Sequence, residues 1–389
     1  MKIVLIAENW PPRIGGIENY LTHAMGHLPA GSVTVIAPQV PKPVSETALP
    51  GHGIKAVIRR RFFWPLIRPR WLPLFISLYR YAKREQIDLV VCGKGLFEGL
   101  IGYYLNRHLG IPYIVLTYAM EIEVWAEHAG TRRKLTRVIT NAARVVYINE
   151  LTKTTLLSLG ATEQQLVKIW PGVDDRYLTT LAPPAIDQVL KKYNLRRPYI
   201  LSVARLIERK GLAELIEAFA QLDQTKFGQY RLVIVGEGPQ KESLKELADN
   251  SFITKSVAFL DNVPDQDLPA LYQAAEFLAL TPKEVAGDRE GFGIVYLEAA
   301  ASGLAALATK SGGAAEAVVD QSTGLVVEPE IPAIKAGLEQ LLEHFDKRQQ
   351  MADAGRKRAQ EQFRWGKRSL LVKGMIDAVM TEKITIKNR

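Results

Sequence analysis

The sequence predicts an α/β protein made of two Rossmann-like units in tandem, on three observations. Short β-rich runs alternate with amphipathic stretches of helical length along most of the chain, the pattern of parallel sheets covered by helices. The length, 389 residues, suits two domains, each large enough to bury a core of its own. The net charge of +9 is divided unevenly: residues 1–180 hold 22 Lys and Arg against 13 Asp and Glu, while residues 181–389 hold 28 of each, so the halves meet different partners.

In the first half, apolar runs place strands at 3–7, 33–37, 54–57, 89–92, 113–117, 145–148 and 167–170. Helices are expected between them at 17–27, 74–84, 96–108, 134–143 and 151–159. The second half repeats the design, with strands at 199–203, 232–235, 257–260, 277–281, 305–308 and 324–327. Its helices are expected at 213–221, 240–248, 268–274, 294–301, 314–318, 333–343 and 348–362. The stretch from Leu181 to Pro198 carries three prolines and only a weak helical pattern, so residues 181–197 are expected to link a first domain, 1–180, to a second, 198–362. Open α/β sheets bind ligands at the carboxyl ends of their strands, and two such sheets facing each other would place the site in a cleft between them.

Hydrophobic residues make up 47% and charged residues 23% of the chain, which fits neither a disordered nor a fibrous protein. The longest apolar runs, such as 71–79, fall well short of the roughly 18 residues of a membrane span. Glu8 and Asn9 follow the apolar run 3–7 directly, as after a first strand rather than within a signal peptide, so a cytoplasmic location is expected. A single cysteine, Cys92, can form neither an intramolecular disulfide nor a multi-cysteine zinc site, and a structural role is expected for it.

Candidate chemistry concentrates in the second half. Arg205 and Lys210 follow a buried strand and precede a helix, where two cations suit a diphosphate and offset charge growing on a leaving phosphate. A solvated basic loop is the plain alternative. Glu290 and Glu298, eight positions apart, bracket Gly291, Phe292 and Gly293. The glycines would let the backbone approach a ligand, and the helix that follows offers unpaired N–H groups to phosphate. Ser311-Gly312-Gly313 lies between a strand and a helix, where it could wrap the same ligand or simply turn the chain. In the first half, the segment 11–18 holds Gly15 and Gly16 at the start of the first helix, where their amides could face a phosphate.

Taken together, these residues resemble the retaining glycosyltransferases of family 4, which have the two-domain GT-B fold. The resemblance covers nearly the whole chain and rests on Gly15-Gly16, Arg205 with Lys210, Gly236-Glu237-Gly238-Pro239, Glu290 with Glu298, Gly312-Gly313 and a late Phe363-x-Trp365. The run from Asp288 to Ala299 looks most like the mannosyltransferases acting on phosphatidylinositol mannosides. The resemblance implies a nucleotide diphosphate sugar as donor, with GDP-mannose first and UDP-hexoses close behind, an acceptor glycan or lipid, and no essential metal. It implies that Gly16 contacts the donor phosphates, Arg205 and Lys210 hold the diphosphate, and Glu290 with the amides of 291–293 faces the donor sugar. It further implies that Glu298 binds the ribose, that Phe259, Leu260 and Val263 line the base pocket, and that 363–389 form a helix crossing back to the first domain. The chain departs from the pattern at Tyr118, where related enzymes often carry a histidine near the reacting sugar. A phenol still donates a hydrogen bond but cannot act as a base near neutral pH, its ordinary pKa being about 10.

Other motifs carry weaker chemistry. His23 and His27 lie on one helix without an evident third metal ligand, and Asp265-x-Asp267 precedes a helix, where aspartate is a favoured cap. Gly236-x-Gly238 lacks the third glycine of a dinucleotide fingerprint. A sugar-nucleotide epimerase, and a non-catalytic binder of nucleotide sugar or nucleic acid, are the competing functions. Residues 59–72 interleave five arginines with Phe62, Phe63, Trp64 and Trp71, which suits peripheral attachment to an anionic membrane surface on its inner face, with no nucleic acid partner. An acceptor-side loop with inward-packed aromatics is the alternative there.

Overall fold

A computed structural model describes residues 1–13, 15–40 and 52–387. The chain forms two compact units, one of residues 1–171 with 365–389 and the other of residues 172–364.

The first unit is built on a seven-stranded, wholly parallel sheet: β1 (Ile3–Ile6), β2 (Val33–Pro38), β3 (Ile54–Arg60), β4 (Leu89–Cys92), β5 (Tyr113–Leu116), β6 (Arg144–Tyr147) and β7 (Leu166–Lys168). The spatial order β3-β2-β1-β4-β5-β6-β7 reverses between β1 and β4, and a crevice opens at such a switch point beyond the strand ends. β1 sits centrally, with Ile3 beside both Val33 and Leu89, and all four of its residues are buried. Strands covered on both faces must be apolar throughout, which is why the central strands β1, β4 and β5 lack polar alternation.

The second unit repeats the scheme with β8 (Tyr199–Val203), β9 (Arg231–Val235), β10 (Val257–Leu260), β11 (Leu278–Ala279), β12 (Ala306–Thr309) and β13 (Gly324–Val327). Its order, β10-β9-β8-β11-β12-β13, is again parallel and reverses between β8 and β11.

The domain boundary differs from the one read in the sequence. The chain changes unit between 171 and 172, and the segment read as a linker carries a helix, Pro183–Lys192, packed on the helix Leu268–Ala274. Pro183 and Pro184 stand in its first turn, where a missing N–H costs nothing and the fixed φ favours the helix, so these prolines start an element rather than mark a gap. Ile186 and Leu190 form its buried face. Before β6 the chain makes two helices, Met120–Glu127 and Ala129–Asn141, where only 134–143 had been expected.

The last helix, Trp365–Lys387, belongs to the first unit and packs on the helix Gly16–Gly26. Trp365 stacks on His23 at 5.1 Å and meets the Tyr20 ring edge-on at 5.5 Å, while Arg368 lies over the Trp170 ring. The histidine pair is thereby structural: His23 is committed to Trp365, and the His27 Nδ1 lies 2.8 Å from the His23 carbonyl.

Candidate active site

In the second unit, the loops after five strands meet along one sheet edge. Beyond β8, residues Glu208–Lys210 make a single 3-10 turn that sets Arg209 and Lys210 side by side. Both donate to the same oxygen of Glu290, in the loop before the helix Ile294–Ala301, Arg209 at 3.0 Å. The Arg209 Nε also lies 3.1 Å from the Asp288 carboxylate. Asp288 closes a two-residue turn in which Ala286 and Gly287 both have positive φ, the geometry of a primed hairpin turn.

The Arg209, Lys210 and Glu290 side chains are each no more than 15% exposed, so the cluster's charges are poorly screened. Burial alone would push the Glu290 carboxyl up. The Lys210 and Arg209 charges and hydrogen bonds outweigh it and hold Glu290 below the ordinary range. Burial pulls Lys210 down, against the attraction of Glu290 and with the help of Arg209 and Arg205.

Two glycine loops fit around this cluster. Gly312 has φ +52, and a Cβ there would overlap the Glu290 carbonyl oxygen, which also accepts the Gly313 N–H at 2.9 Å. At Gly236 a Cβ would overlap the Ala204 carbonyl oxygen, and the Leu206 N–H donates to the Glu237 carbonyl at 2.8 Å. The run 236–239 is therefore a brace for the loop of Arg205. Phe259 and Leu260 end the edge strand β10, with Leu260 accepting the Gly236 N–H at 3.0 Å; they and Val263 are half-buried.

Glu298 is half-buried in the helix Ile294–Ala301, where it accepts from the Tyr272 hydroxyl at 2.8 Å. Tyr177 packs edge-on against Tyr272. Burial pushes the Glu298 carboxyl up to about 7, opposed by the Tyr272 hydrogen bond and reinforced by Asp265.

Of the residues proposed from the sequence, Lys210, Glu290 and Gly312-Gly313 come together. Arg205 does not pair with Glu290: its side chain is exposed and makes no hydrogen bond or ion pair among the described residues, although its charge reaches Lys210. The sequence reading missed Arg209, whose signal was its position beside Lys210 in a turn too tight to separate the two. The Phe292 ring is 3% exposed and packs on Phe363, so its backbone is the part left to meet a ligand, in keeping with the amide role expected of 291–293. Gly293, at φ +83, caps the helix start, and Gly291 is half-buried beside it. The Asp267 side chain does not cap its helix but takes Lys192 at 2.6 Å and the Tyr193 hydroxyl at 2.7 Å, and Asp265 lies 3.8 Å from Arg176.

The first unit carries its own constellation at the carboxyl ends of β1, β4 and β5. Gly15 and Gly16 are exposed at the start of the helix Gly16–Gly26, and Ile14 lies outside the described residues. Asn9 donates to the buried Glu18 at 2.7 Å. The Glu8 N–H donates to Glu98, which is completely buried, at 2.7 Å, and the Tyr118 N–H donates to Glu121 at 2.7 Å. Burial pushes Glu98 up to about 8 and Glu121 up to about 7. The Tyr118 phenol is raised well above its ordinary value by burial and by its acidic neighbours, so it stays a neutral donor. Glu98 and Glu121 went unnoticed in the sequence; a glutamate in the otherwise apolar start of the helix Phe97–Leu109 was the available sign.

Two parallel sheets that each reverse order at a switch point, one edged by a cation–carboxylate cluster inside glycine loops, define a two-unit α/β protein with a charged cluster where open sheets bind ligands. The family model described as "Glycosyl transferases group 1" matches residues 186–358, and that described as "Glycosyltransferase Family 4" matches residues 14–177. The GDP-mannose-dependent alpha-(1-6)-phosphatidylinositol monomannoside mannosyltransferase of Mycolicibacterium smegmatis is 30% identical over 93% of this chain and 95% of its own length. The enzyme of Corynebacterium glutamicum that is named for the monoacylated form of that substrate is 29% identical over 94% of each chain. Among solved structures, HepE of Anabaena in complex with UDP aligns over 97% of this chain and 100% of its own with TM-score 0.81 and 19% identity. Sucrose-phosphate synthase of Thermosynechococcus elongatus aligns over 98% and 99%, with TM-score 0.81 and 20% identity. This chain belongs to glycosyltransferase family 4 and is a glycosyltransferase of the GT-B fold. Neither an epimerase nor a non-catalytic binder is supported by these matches.

Proposed function

We propose that this protein is a retaining mannosyltransferase that moves mannose from GDP-mannose to a hydroxyl of a phosphatidylinositol mannoside. The observation that carries the reading is the buried cluster of Arg209, Lys210 and Glu290 at the strand ends of the second unit. Relatives spanning more than nine-tenths of the chain, named for GDP-mannose and phosphatidylinositol mannosides, support the choice of donor and acceptor. The acceptor oxygen forms its bond to the sugar carbon on the face from which the diphosphate departs. The centre passes through an oxocarbenium-like state, and a leaving-phosphate oxygen takes the acceptor proton. Lys210 and Arg209, with Arg205 at the loop surface, offset the charge left on the diphosphate, so no metal ion is essential. Glu290 faces the donor sugar, Glu298 the ribose, and Phe259 to Val263 the base. Tyr118 supplies a neutral hydrogen-bond donor to sugar hydroxyls.

The acceptor class suits peripheral attachment to the inner face of a membrane. From residue 47 to 84 there is no Asp or Glu. Arg60, Arg61, Arg68 and Arg70 are exposed beside the exposed Phe63, Leu66 and Ile67. The aromatic set is smaller than the sequence promised: Phe62 is buried, and Trp64 and Trp71 pack on the core. Arg59 is held by the carbonyls of Pro11 and Pro38 and serves the fold. Among the described residues no helix is long and apolar enough to cross a membrane. Acidic headgroups of the cytoplasmic leaflet attract such arginines by about 1 kcal/mol each near the surface.

The test is transfer of labelled mannose from GDP-mannose to phosphatidylinositol monomannoside, with UDP-glucose as a parallel donor and the product's anomeric configuration read by NMR. An α-mannoside made only with GDP-mannose is expected. Transfer from UDP-glucose alone, an inverted product, or consumption of donor by epimerisation without acceptor would overturn the reading.

A further inference from the structure

The helix Phe345–Arg358 runs directly into a single π turn, Ala359–Phe363, before the chain leaves the second unit after Arg364. Such turns are rare, give up regular α-helical hydrogen bonding and occur mostly where function requires them. In an α-helix of about 3.6 residues per turn, side chains five positions apart point in different directions, whereas the i→i+5 spacing of a π turn sets them on one face. Arg358 and Phe363 stand five apart, and the Arg358 guanidinium lies over the Phe363 ring, 4.8 Å from its centroid. The same guanidinium donates to the Ala317 carbonyl at 2.7 Å and to the Glu316 carbonyl at 2.8 Å, the open end of the short helix Ala314–Ala317. That helix starts at Gly313, whose N–H is bonded to the Glu290 carbonyl at 2.9 Å. Phe363 is 1% exposed, and its ring packs at 6.0 Å on Phe292, two positions beyond Glu290. The turn also packs on the helix Ile294–Ala301, which begins at Gly293. Two lines of contact therefore run from one turn to the Glu290 backbone, through Phe292 and through Gly313, while the Glu290 carboxylate is held separately by Arg209 and Lys210.

We propose that Arg358 and Phe363 are positioning residues for sugar transfer, and that the π turn is the clamp that fixes the Glu290 loop and the Gly312-Gly313 loop against each other. Arg358 anchors the helix that follows the glycines, and Phe363 anchors the ring that follows Glu290. Charged groups act on a transition state only when held close to their working geometry, so a loosened support costs rate more than it costs binding of the free nucleotide. The Phe363-x-Trp365 motif thereby divides its work: Trp365 serves the packing of the first unit, and Phe363 the catalytic loop of the second. The proposal rests on the transferase reading only for the role of Glu290.

Arg358→Gln and Phe363→Leu are made in the full chain and followed by steady-state kinetics and by hydrogen exchange read by mass spectrometry, with folded protein counted by GDP titration. Leu338→Ala, which empties fully buried space in the helix Ile331–Glu343, is the control for lost stability. Each clamp variant is expected to lower kcat about tenfold while the KM for GDP-mannose and the Kd for GDP stay within about twofold. Exchange should quicken at 288–293 and 312–318 and stay unchanged at 199–203. Leu338→Ala should lower Tm yet keep kcat and the exchange of both loops. The two clamp substitutions together should cost little more than either alone, because they act through one turn. Arg358→Lys, which keeps a cationic donor, should recover part of the rate, and with Phe363→Leu it carries the test if Arg358→Gln does not fold. Wild-type kcat in both clamp variants, a loss of rate matched by Leu338→Ala, or unaltered exchange in both loops overturns the proposal. A wild type that transfers no mannose removes the transferase reading while the exchange result still decides the clamp; transfer of mannose with unaltered exchange in the variants leaves that reading standing and removes the clamp.

Discussion

Glu290 stays ionised in a buried setting because two cations donate to it, and Gln keeps its shape while removing the charge they neutralise. Glu290→Gln is expected to lower turnover on the order of tenfold to a thousandfold, the range for loss of one charge-stabilising group. Free GDP should bind no more weakly, since Lys210 and Arg209 are then released toward its diphosphate. Steady-state kinetics and calorimetry check both halves, and a wild-type kcat would remove Glu290 from the chemistry. Glu98 yields a prediction for stability. Its ordinary value is 4.5 and burial pushes it up to about 8, so between those pH values the folded chain keeps a proton that the unfolded chain releases. The stability that Glu98 contributes is thus fullest below about pH 4.5 and falls as pH rises toward 8, at most by about 1.4 kcal/mol per pH unit. Glu98→Gln should flatten that slope and be more stable than wild type at pH 8, with little difference at pH 4.5; urea titrations across the range measure it.

At the scale of elements, the site depends on backbone approaches that only some residues permit. Gly312 combines a positive φ with contact to the Glu290 carbonyl, so Gly312→Ala must shift the loop that holds Glu290. A loss of about 1–3 kcal/mol is expected, together with reduced turnover, whereas Ala at Gly31, which is also at positive φ but has open space around it, should cost less and leave activity alone. Equal effects at the two glycines would refute the argument from close approach. The last helix is tied to the first unit by Trp365, which is 3% exposed between Tyr20 and His23. Trp365→Ala should destabilise that unit by about 3–5 kcal/mol, read as an earlier transition in thermal unfolding.

At the scale of the molecule, a nucleotide that binds the folded chain alone should stabilise it by about 2.7 kcal/mol at 100 times its Kd. GDP is expected to raise Tm more than UDP at equal concentration, and Lys210→Ala to abolish most of the shift. The alternation of strands and helices, Lys210 and Glu290 as separate candidates, the glycine loops and the arginine-rich run 59–72 were all legible in the sequence, because period, turn chemistry and local charge are properties of neighbouring residues. The pairing of Arg209 with Glu290 was not, since Arg205 and Arg209 precede the same helix and only a partner 81 residues away distinguishes them. Nor was the point where the chain changes unit, because two prolines that break a pattern and two that start a helix look alike until Ile186 and Leu190 find a surface to cover. Glu98 was hidden for the same reason: a glutamate in the first turn of a helix is ordinary until the fold buries it against the Glu8 backbone. The sequence by itself determined the two sheets and most of the residues at the donor end. Only the tertiary structure decided which charges pair, which side chains lose water and which pKa values move, because those depend on contacts between segments that are far apart along the chain.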